Sequence, residues 1–309
     1  MAGIWVYSED NIVEQQLLTI GRSLADSLEE PLVAINIMED NSLDLILRGA
    51  DRVIVIEGNS VLPESYAKPI AEIAGKERPT TFLIGGTLRG KEVAAKIAAY
   101  LSVGLVNSAL SIKVIDGNLE TERIMYGGLA ICTEILAPVS IVTIEPRTYD
   151  AAQGDPSRTG KTEKITVEVE EIVKVGNVCP IIKQGADITT AEKLICVGRG
   201  LAKQEDMKLA QDLAGKLGAG IGCTRSVAED YHWLPNETYI GLSGQKVKPQ
   251  LYISMGVSGQ VQHTAGIRDS KIIVAIDTNE NAPIFAAADY GIVGDLYDIV
   301  PLLTEKIVK

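Results

Sequence analysis

The chain has 309 residues and a formal net charge of −12, enough length for two domains of ordinary size. Hydrophobic residues make up 46% of it and aromatic residues 5%, the Ala, Val, Ile and Leu mixture that suits parallel strands buried on both faces. No basic stripe stands out to neutralise phosphates, so nucleic acid is excluded as a partner.

Cys132, Cys179, Cys196 and Cys223 form no Cys-x-x-Cys pair, which excludes a recognisable iron–sulfur or zinc ligand set. They are expected to be buried free thiols in a reducing compartment. Glu9 and Asp10 arrive before any signal-peptide-like apolar stretch, and no run approaches the ~20 apolar residues of a membrane span. A cytoplasmic location is the expectation.

Ile4 to Tyr7 read as a first strand, followed by a helix from Asn11 to about Leu28. Strands are expected over Leu32 to Ile37 and Arg52 to Ile56. Leu43, Ile46 and Leu47 between them share one helical face,. Pro63 to Ala74 read as helix and Thr81 to Ile84 as a fourth strand, an alternation that implies a parallel sheet,. Ser111 to Ile115 and Leu119 to Met125 form a hairpin about Asp116-Gly117-Asn118,. Pro138 to Ile144 return as a strand, and Asp150 to Lys164 as an exposed loop,. Alternating Ile165, Val167 and Val169 then predict a half-exposed strand,. A domain boundary is expected near Gly185 to Thr190, giving domains 1–187 and 188–309.

The second half repeats one device. Strands are expected at Leu194 to Val197, Gly220 to Cys223, Thr238 to Leu242, Leu251 to Met255 and Lys271 to Ile276, each ending in a polar or glycine-rich turn. Ligands of open α/β sheets lie outside the carboxyl ends of the strands, so these turns form one functional rim. Its centre is Gly256-Val257-Ser258-Gly259-Gln260-Val261-Gln262-His263, where a strand is expected to turn at once into a helix. Such a junction offers unpaired N–H groups at the positive end of a helix dipole to a phosphate.

Three familiar chemistries fail on spacing. Gly85 to Lys91 follow the pattern G-x-x-x-x-G-K, but Glu92 replaces the magnesium-binding Ser or Thr,. Ser258 is followed directly by Gly259, unlike the G-x-S-x-G elbow of serine hydrolases,. Gly198-Arg199-Gly200 meets Lys203 where a dinucleotide fingerprint needs its third glycine,.

Longer pieces are more specific. Val197-Gly-Arg-Gly200, Pro249-x-Leu-Tyr-Ile253, Gly256 to His263, Ala265 to Lys271, Ala282-Pro-Ile-Phe285 and Ala288 to Val293 with Asp295 resemble the α subunit of electron transfer flavoproteins. The N-terminal half matches more loosely, through Gly85-x-Thr87-x-x-Gly90-Lys91 and the strand–helix order. The resemblance implies two α/β domains, each a mostly parallel sheet with flanking helices, the C-terminal one a doubly wound FAD-binding domain. It also implies a heterodimer with a β subunit, supplied with electrons by a dehydrogenase such as an acyl-CoA dehydrogenase. Ferredoxin or a quinone oxidoreductase are further candidate partners.

Carried over position by position, the resemblance implies FAD contacts from Arg199, Thr224, Ile240, Gly241, Leu242 and Ser243. It adds Ser258, Gly259, Gln260, Val261, Gln262, His263, Asp277, Asp295 and Leu296. Arg225 is expected against the isoalloxazine and His263 near its pyrimidine end. Thr224 stands where the family has Ser and keeps the hydroxyl. Leu242 stands for a common Gln and Asp277 for a common Asn. A unit charge ~4 Å from a reduced flavin contributes ~4 kcal/mol at an effective dielectric of ~20. Two alternatives accompany the relay reading: an electron-bifurcating complex with a second flavin in the β subunit, and a nucleotide-sensing module without redox chemistry.

Overall fold

The computed structural model describes residues 3–38, 41–179 and 187–307. The chain divides into two compact units, Met1–Val178 and Cys179–Lys309. Part of the expected boundary, at Gly185 and Ala186, lies outside the described residues.

The first unit runs β1 (Ile4–Tyr7), α1 (Asn11–Leu28), β2 (Leu32–Ile37), α2 (Ser42–Leu47), β3 (Arg52–Glu57), α3 (Ala67–Glu77), β4 (Thr81–Gly85), α4 (Leu88–Leu101), β5 (Leu105–Ile115), β6 (Asn118–Met125), β7 (Ala130–Ile135), β8 (Ser140–Ile144) and β9 (Lys161–Thr166). Its nine strands lie in the order β7-β6-β5-β8-β4-β1-β2-β3-β9. The pairs from β5 through β8 to β9 are parallel, and β6 pairs antiparallel with both β5 and β7. The central strands are buried on both faces, as their unbroken apolar runs require,. Helix α1 starts because the Asp10 carboxylate accepts from the amides of Ile12 and Val13, and it ends where Glu29 turns left-handed,. Its buried Val13, Leu17, Leu18, Leu24 and Ala25 recur at helical spacing,.

Three features depart from expectation here. Strand β5 extends back to Leu105, and β7 joins the hairpin as a third antiparallel strand. The segment read as loop up to Lys164 and strand beyond it instead becomes β9 at Lys161–Thr166, paired to the β3 edge. Its exposed polar residues gave no apolar period, and the ladder alone makes it a strand.

The second unit runs β10 (Lys193–Val197), α5 (Met207–Leu217), β11 (Gly220–Cys223), β12 (Leu251–Met255), α6 (Val261–Thr264), β13 (Ile273–Asp277), α7 (Ile284–Ala287), β14 (Tyr290–Val293) and α8 (Leu296–Lys306). All five strands are parallel, in the order β11-β10-β12-β13-β14. One face carries Ile195, Val197, Ile253 and Met255 against α5 and α8. The other carries Leu194, Cys196, Tyr252 and Ala275 against Ile240, Val247, Ile267 and Ile284. The fold is therefore α/β in both units.

Thr238 to Leu242, expected as a strand, form only isolated bridges, Cys223 with Tyr239 and Ile240 with Gln245. A short 3-10 turn at Asn236–Thr238 leads into them. Strand β14 and helix α8 were not foreseen. Pro301 inside α8 breaks the sequence signature of a helix but not the helix, which the Asp295 carboxylate caps by accepting from Tyr297 N at 2.9 Å,.

Candidate functional site

The chain adds β11 on one side of β10 and β12 on the other, so the crossing direction reverses between β10 and β12. Such reversals open a crevice at the carboxyl ends of the strands. A cleft of about 660 Å³ lies there, within the range of small-molecule and cofactor sites.

The floor is built from two turns in backbone contact. A Cβ on Gly200 would lie 2.5 Å from the Gly256 Cα, and one on Gly256, whose φ is +63°, would lie 2.5 Å from the Gly200 Cα. Gly200 N donates to Gly256 O at 3.0 Å, locking the two turns together. At Gly259, with φ +78°, a Cβ would fall 2.3 Å from the backbone of Ile284, and Ile284 N donates to Ser258 O. Glycine is therefore required at both positions by conformation and by space.

Among the described residues, the amides of Val257, Ser258, Gly259 and Gln260 donate to no protein acceptor. Successive free amides in a turn form an anion-binding concavity. The helix that follows, α6, has only four residues. The anion preference thus comes from the turn's own N–H groups more than from the helix dipole that the sequence suggested. The Thr224 hydroxyl is buried without a partner among the described residues, and Arg199 and Arg225 line the same cleft. This donor set fits a pyrophosphate.

Of the sequence-predicted residues, Arg199, Thr224, Arg225, Ile240, Ser243, Ser258, Gly259, Gln260, Gln262, His263, Asp277, Asp295 and Leu296 line the cleft. Gly241, Leu242 and Val261 do not. Leu242 is 51% exposed with its amide donating to Gln262 O at 2.7 Å. Gly241 N is spent on Gln245 O, and Val261 opens α6 facing solvent.

Gly200, Ser226, Gly256, Val257 and Thr278 line the cleft too and belong to turns already on the predicted rim. Tyr239, Gly294 and Tyr297 were missed. Tyr239 shares a 2.8 Å hydrogen bond with Ser243. The Tyr297 hydroxyl accepts from Ala202 N at 2.9 Å and donates to Asp206 at 2.5 Å. Tyr297 thereby ties the turn after β10 to the start of α8. Nothing in the local sequence signals a contact that spans 91 residues.

The charges differ in freedom. Arg225 Nε donates to Glu229 at 2.6 Å, an i,i+4 pair whose arginine side chain is 66% exposed. Asp277 accepts from Asn279 N and Asp295 caps α8, so each carboxylate keeps capacity for a ligand hydroxyl,. His263 is 8% exposed, with Nδ1 3.1 Å from Ile240 O and Nε2 2.7 Å from the Tyr252 hydroxyl. Burial pulls its pKa down to about 4, so the ring is neutral at pH 7. Among the described residues that line the cleft, positive charge is supplied by Arg199 and Arg225.

In the first unit, the glycine-rich turn after β4 is occupied by the protein's own groups. Lys91 pairs with Glu145 at 2.6 Å, and the Thr87 hydroxyl donates to Glu9 while accepting from Gly90 N. Among the described residues no His/Cys/Asp/Glu group could hold a metal ion, and no helix is long and apolar enough to cross a membrane.

The sequence model described as "Electron transfer flavoprotein domain" matches residues 4–170, and that described as "Electron transfer flavoprotein FAD-binding domain" matches residues 187–268. Among curated relatives, the provisionally named electron transfer flavoprotein subunit YdiR of Escherichia coli strain K12 is 36% identical over 308 residues, covering 98% of this chain and 97% of that one. Protein FixB of Escherichia coli O157:H7 is 34% identical over 311 residues, covering 99% and 98%. Protein FixB of Shigella flexneri has the same identity and coverage. With both halves matched in order and the relatives aligned along nearly their whole length, the chain belongs to the electron transfer flavoprotein family as an α-type subunit, a family that pairs with a β subunit and whose cofactor here is FAD.

Proposed function

We propose that the cleft of the second unit is the FAD site through which this α subunit relays electrons from a dehydrogenase to an acceptor. The observation that carries the reading is the row of four uncommitted amides, Val257 to Gln260, at the carboxyl end of the central strand. Ser258 and Gly259 would hold the pyrophosphate, with Thr224 and Arg199 adding a hydroxyl and a charge to the same cleft,. Asp277 and Asp295 would accept from ribose and ribityl hydroxyls, with Leu296 as an apolar wall. Ile240, Ser243, Gln260 and Gln262 complete the lining, and Gly241, Leu242 and Val261 act behind it as backbone support. Arg225 and His263 would face the isoalloxazine.

When bound, FAD supplies a ring that takes up and gives up electrons; the protein sets its position and electrostatics. No residue has to act as a nucleophile or proton relay. The donor class that fits the family reading is a dehydrogenase such as an acyl-CoA dehydrogenase, with ferredoxin or a quinone oxidoreductase as further partners, in the cytoplasm. Domains 1–187 and 188–309 would serve the β-subunit contact and the flavin respectively.

Copurification of the chain with its β subunit, followed by flavin extraction, tests the assignment. One FAD per heterodimer, reducible and reoxidisable, is the expected result. Two FAD per heterodimer would favour the electron-bifurcating alternative, and a colourless complex would sink the flavin assignment.

A further inference from the structure

His263 is one of only two histidines in the chain, and its ring is held from three elements. The carbonyl of Ile240 can only accept, so the 3.1 Å contact places a proton on Nδ1,. In a neutral ring Nε2 is then a bare acceptor, and the Tyr252 hydroxyl at 2.7 Å must donate to it. Cys196 Sγ, on β10, is the remaining neighbour, 3.9 Å from Nε2. Tyr252 is fully buried on β12, in register with Leu194 two residues before Cys196, so the phenol and the thiol share one sheet face.

Adding a second proton to this ring would oblige Tyr252 to turn its own proton away. The acceptor then nearest is the buried Cys196 sulfur, a weak one. Nothing around the ring compensates. Burial pushes both the Tyr252 phenol and the Cys196 thiol well above their ordinary ranges, and Cys223 up to about 11, so none of these neighbours offers an anion. Arg199, Arg225, Asp277 and Asp295 line the same cleft, and no carboxylate contributes to the shift of His263 itself.

We infer that Tyr252 is a positioning residue of the flavin site: its hydroxyl clamps His263 as a single neutral Nδ1–H tautomer, so the imidazole at the cleft wall meets the cofactor uncharged and in one orientation. This rests on the reading of the cleft as the FAD site. The role of Tyr252 is indirect, since the phenol lies behind the histidine.

The test labels only this chain with ¹⁵N-histidine, combines it with unlabelled β subunit and FAD, and records long-range ¹H–¹⁵N spectra from pH 8 to 5.5. His263→Gln assigns the two imidazoles. The expected wild-type signal is one protonated Nδ1 and one bare Nε2 that do not titrate. In Tyr252→Phe the bare Nε2 loses its only strong donor, so its ¹⁵N resonance is expected to move well downfield and broaden as the ring loses its fixed orientation. The Ile240 carbonyl still accepts from Nδ1. A wild-type ring that is doubly protonated or carries its proton on Nε2 overturns the proposal, as does a Phe variant with an unchanged spectrum. If the Phe variant does not fold, a slowly exchanging Tyr252 hydroxyl proton correlated with Nε2 in the wild type supports the clamp, and its absence overturns it. Failure of the FAD assignment shows separately, as missing flavin with the tautomer signal intact.

Discussion

The two units each place a glycine-rich turn at the carboxyl end of a central parallel strand, and the two turns differ in the side chains that meet them. After β4, Gly86 N donates to Ile144 O at 2.6 Å, Thr87 absorbs Gly90 N, and Glu9 and Glu145 meet Thr87 and Lys91. After β12, four consecutive amides have no protein acceptor among the described residues. Gly256 and Gly259 take positive φ whereas Gly85, Gly86 and Gly90 do not, and carboxylates from other segments, Glu9 and Glu145, reach the N-terminal turn. What separates the two turns is therefore the carboxylates drawn to the first and the positive-φ glycines and four uncommitted amides of the second,.

The contrast can be broken most severely at Gly256. Gly256→Val puts a β-branched residue at φ +63° and drives its Cβ into Gly200,. FAD retention on gel filtration is expected to disappear, and full stoichiometry in this variant would show that the two turns do not form the floor. A subtler intervention makes the open turn resemble the filled one. Ser258→Asp supplies an internal carboxylate to the free amides and opposes a pyrophosphate. Its FAD dissociation constant, from fluorescence titration, should rise on the order of 100-fold, equivalent to ~3 kcal/mol.

Acid sensitivity separates the units at a third level. The native His263 ring, with its pKa near 4, refuses a proton that the unfolded chain accepts below about 6.5,. Its contribution to stability is therefore complete above that range and is lost as pH falls through it, by up to about 3 kcal/mol. Urea unfolding of the second unit at pH 7 and pH 4.5 should show a smaller difference in His263→Gln than in the wild type, and equal differences would remove the histidine from this role. The smallest effect is expected at the filled turn. Glu145→Gln removes a partly exposed ion pair with Lys91, which should cost no more than about 1 kcal/mol and leave FAD stoichiometry at its wild-type value. A drop in flavin content would contradict the division of labour between the turns.

How much of this was legible beforehand depended on whether a residue's role was local. Gly256, Ser258 and Gly259 could be read because a left-handed turn after an apolar run has a local sequence signature. The turns holding Arg199, Thr224 and Asp277 followed from counting strands and placing their carboxyl ends on one rim. The stretch Thr238 to Leu242 misled because its apolar residues have strand propensity, while tertiary partners, Cys223 O and Gln245 O, claim its amides and bend it into isolated bridges,. Tyr297 was invisible because its work is done on Asp206 and Ala202, far away in sequence. The expectation of a helix dipole beneath the phosphate failed on length alone, since α6 has a single turn. The histidine was found, but its neutrality was not, because that depends on a phenol and a carbonyl brought to it by the fold.

The backbone crossing of Gly200 and Gly256 also makes the cleft adjustable from one side only. Neither glycine can take a side chain without displacing the other loop, so substitutions on this floor would have to occur in concert. Asp277, Thr278 and Asp295 form an acidic rim of the same cleft at the ends of separate elements, joined where Gly294 N donates to Asp277 O at 3.1 Å. They reach it with side chains, so each can change without closing a crossing of two glycines. Diversification of cofactor preference in this protein, natural or engineered, is therefore channelled to the acidic rim.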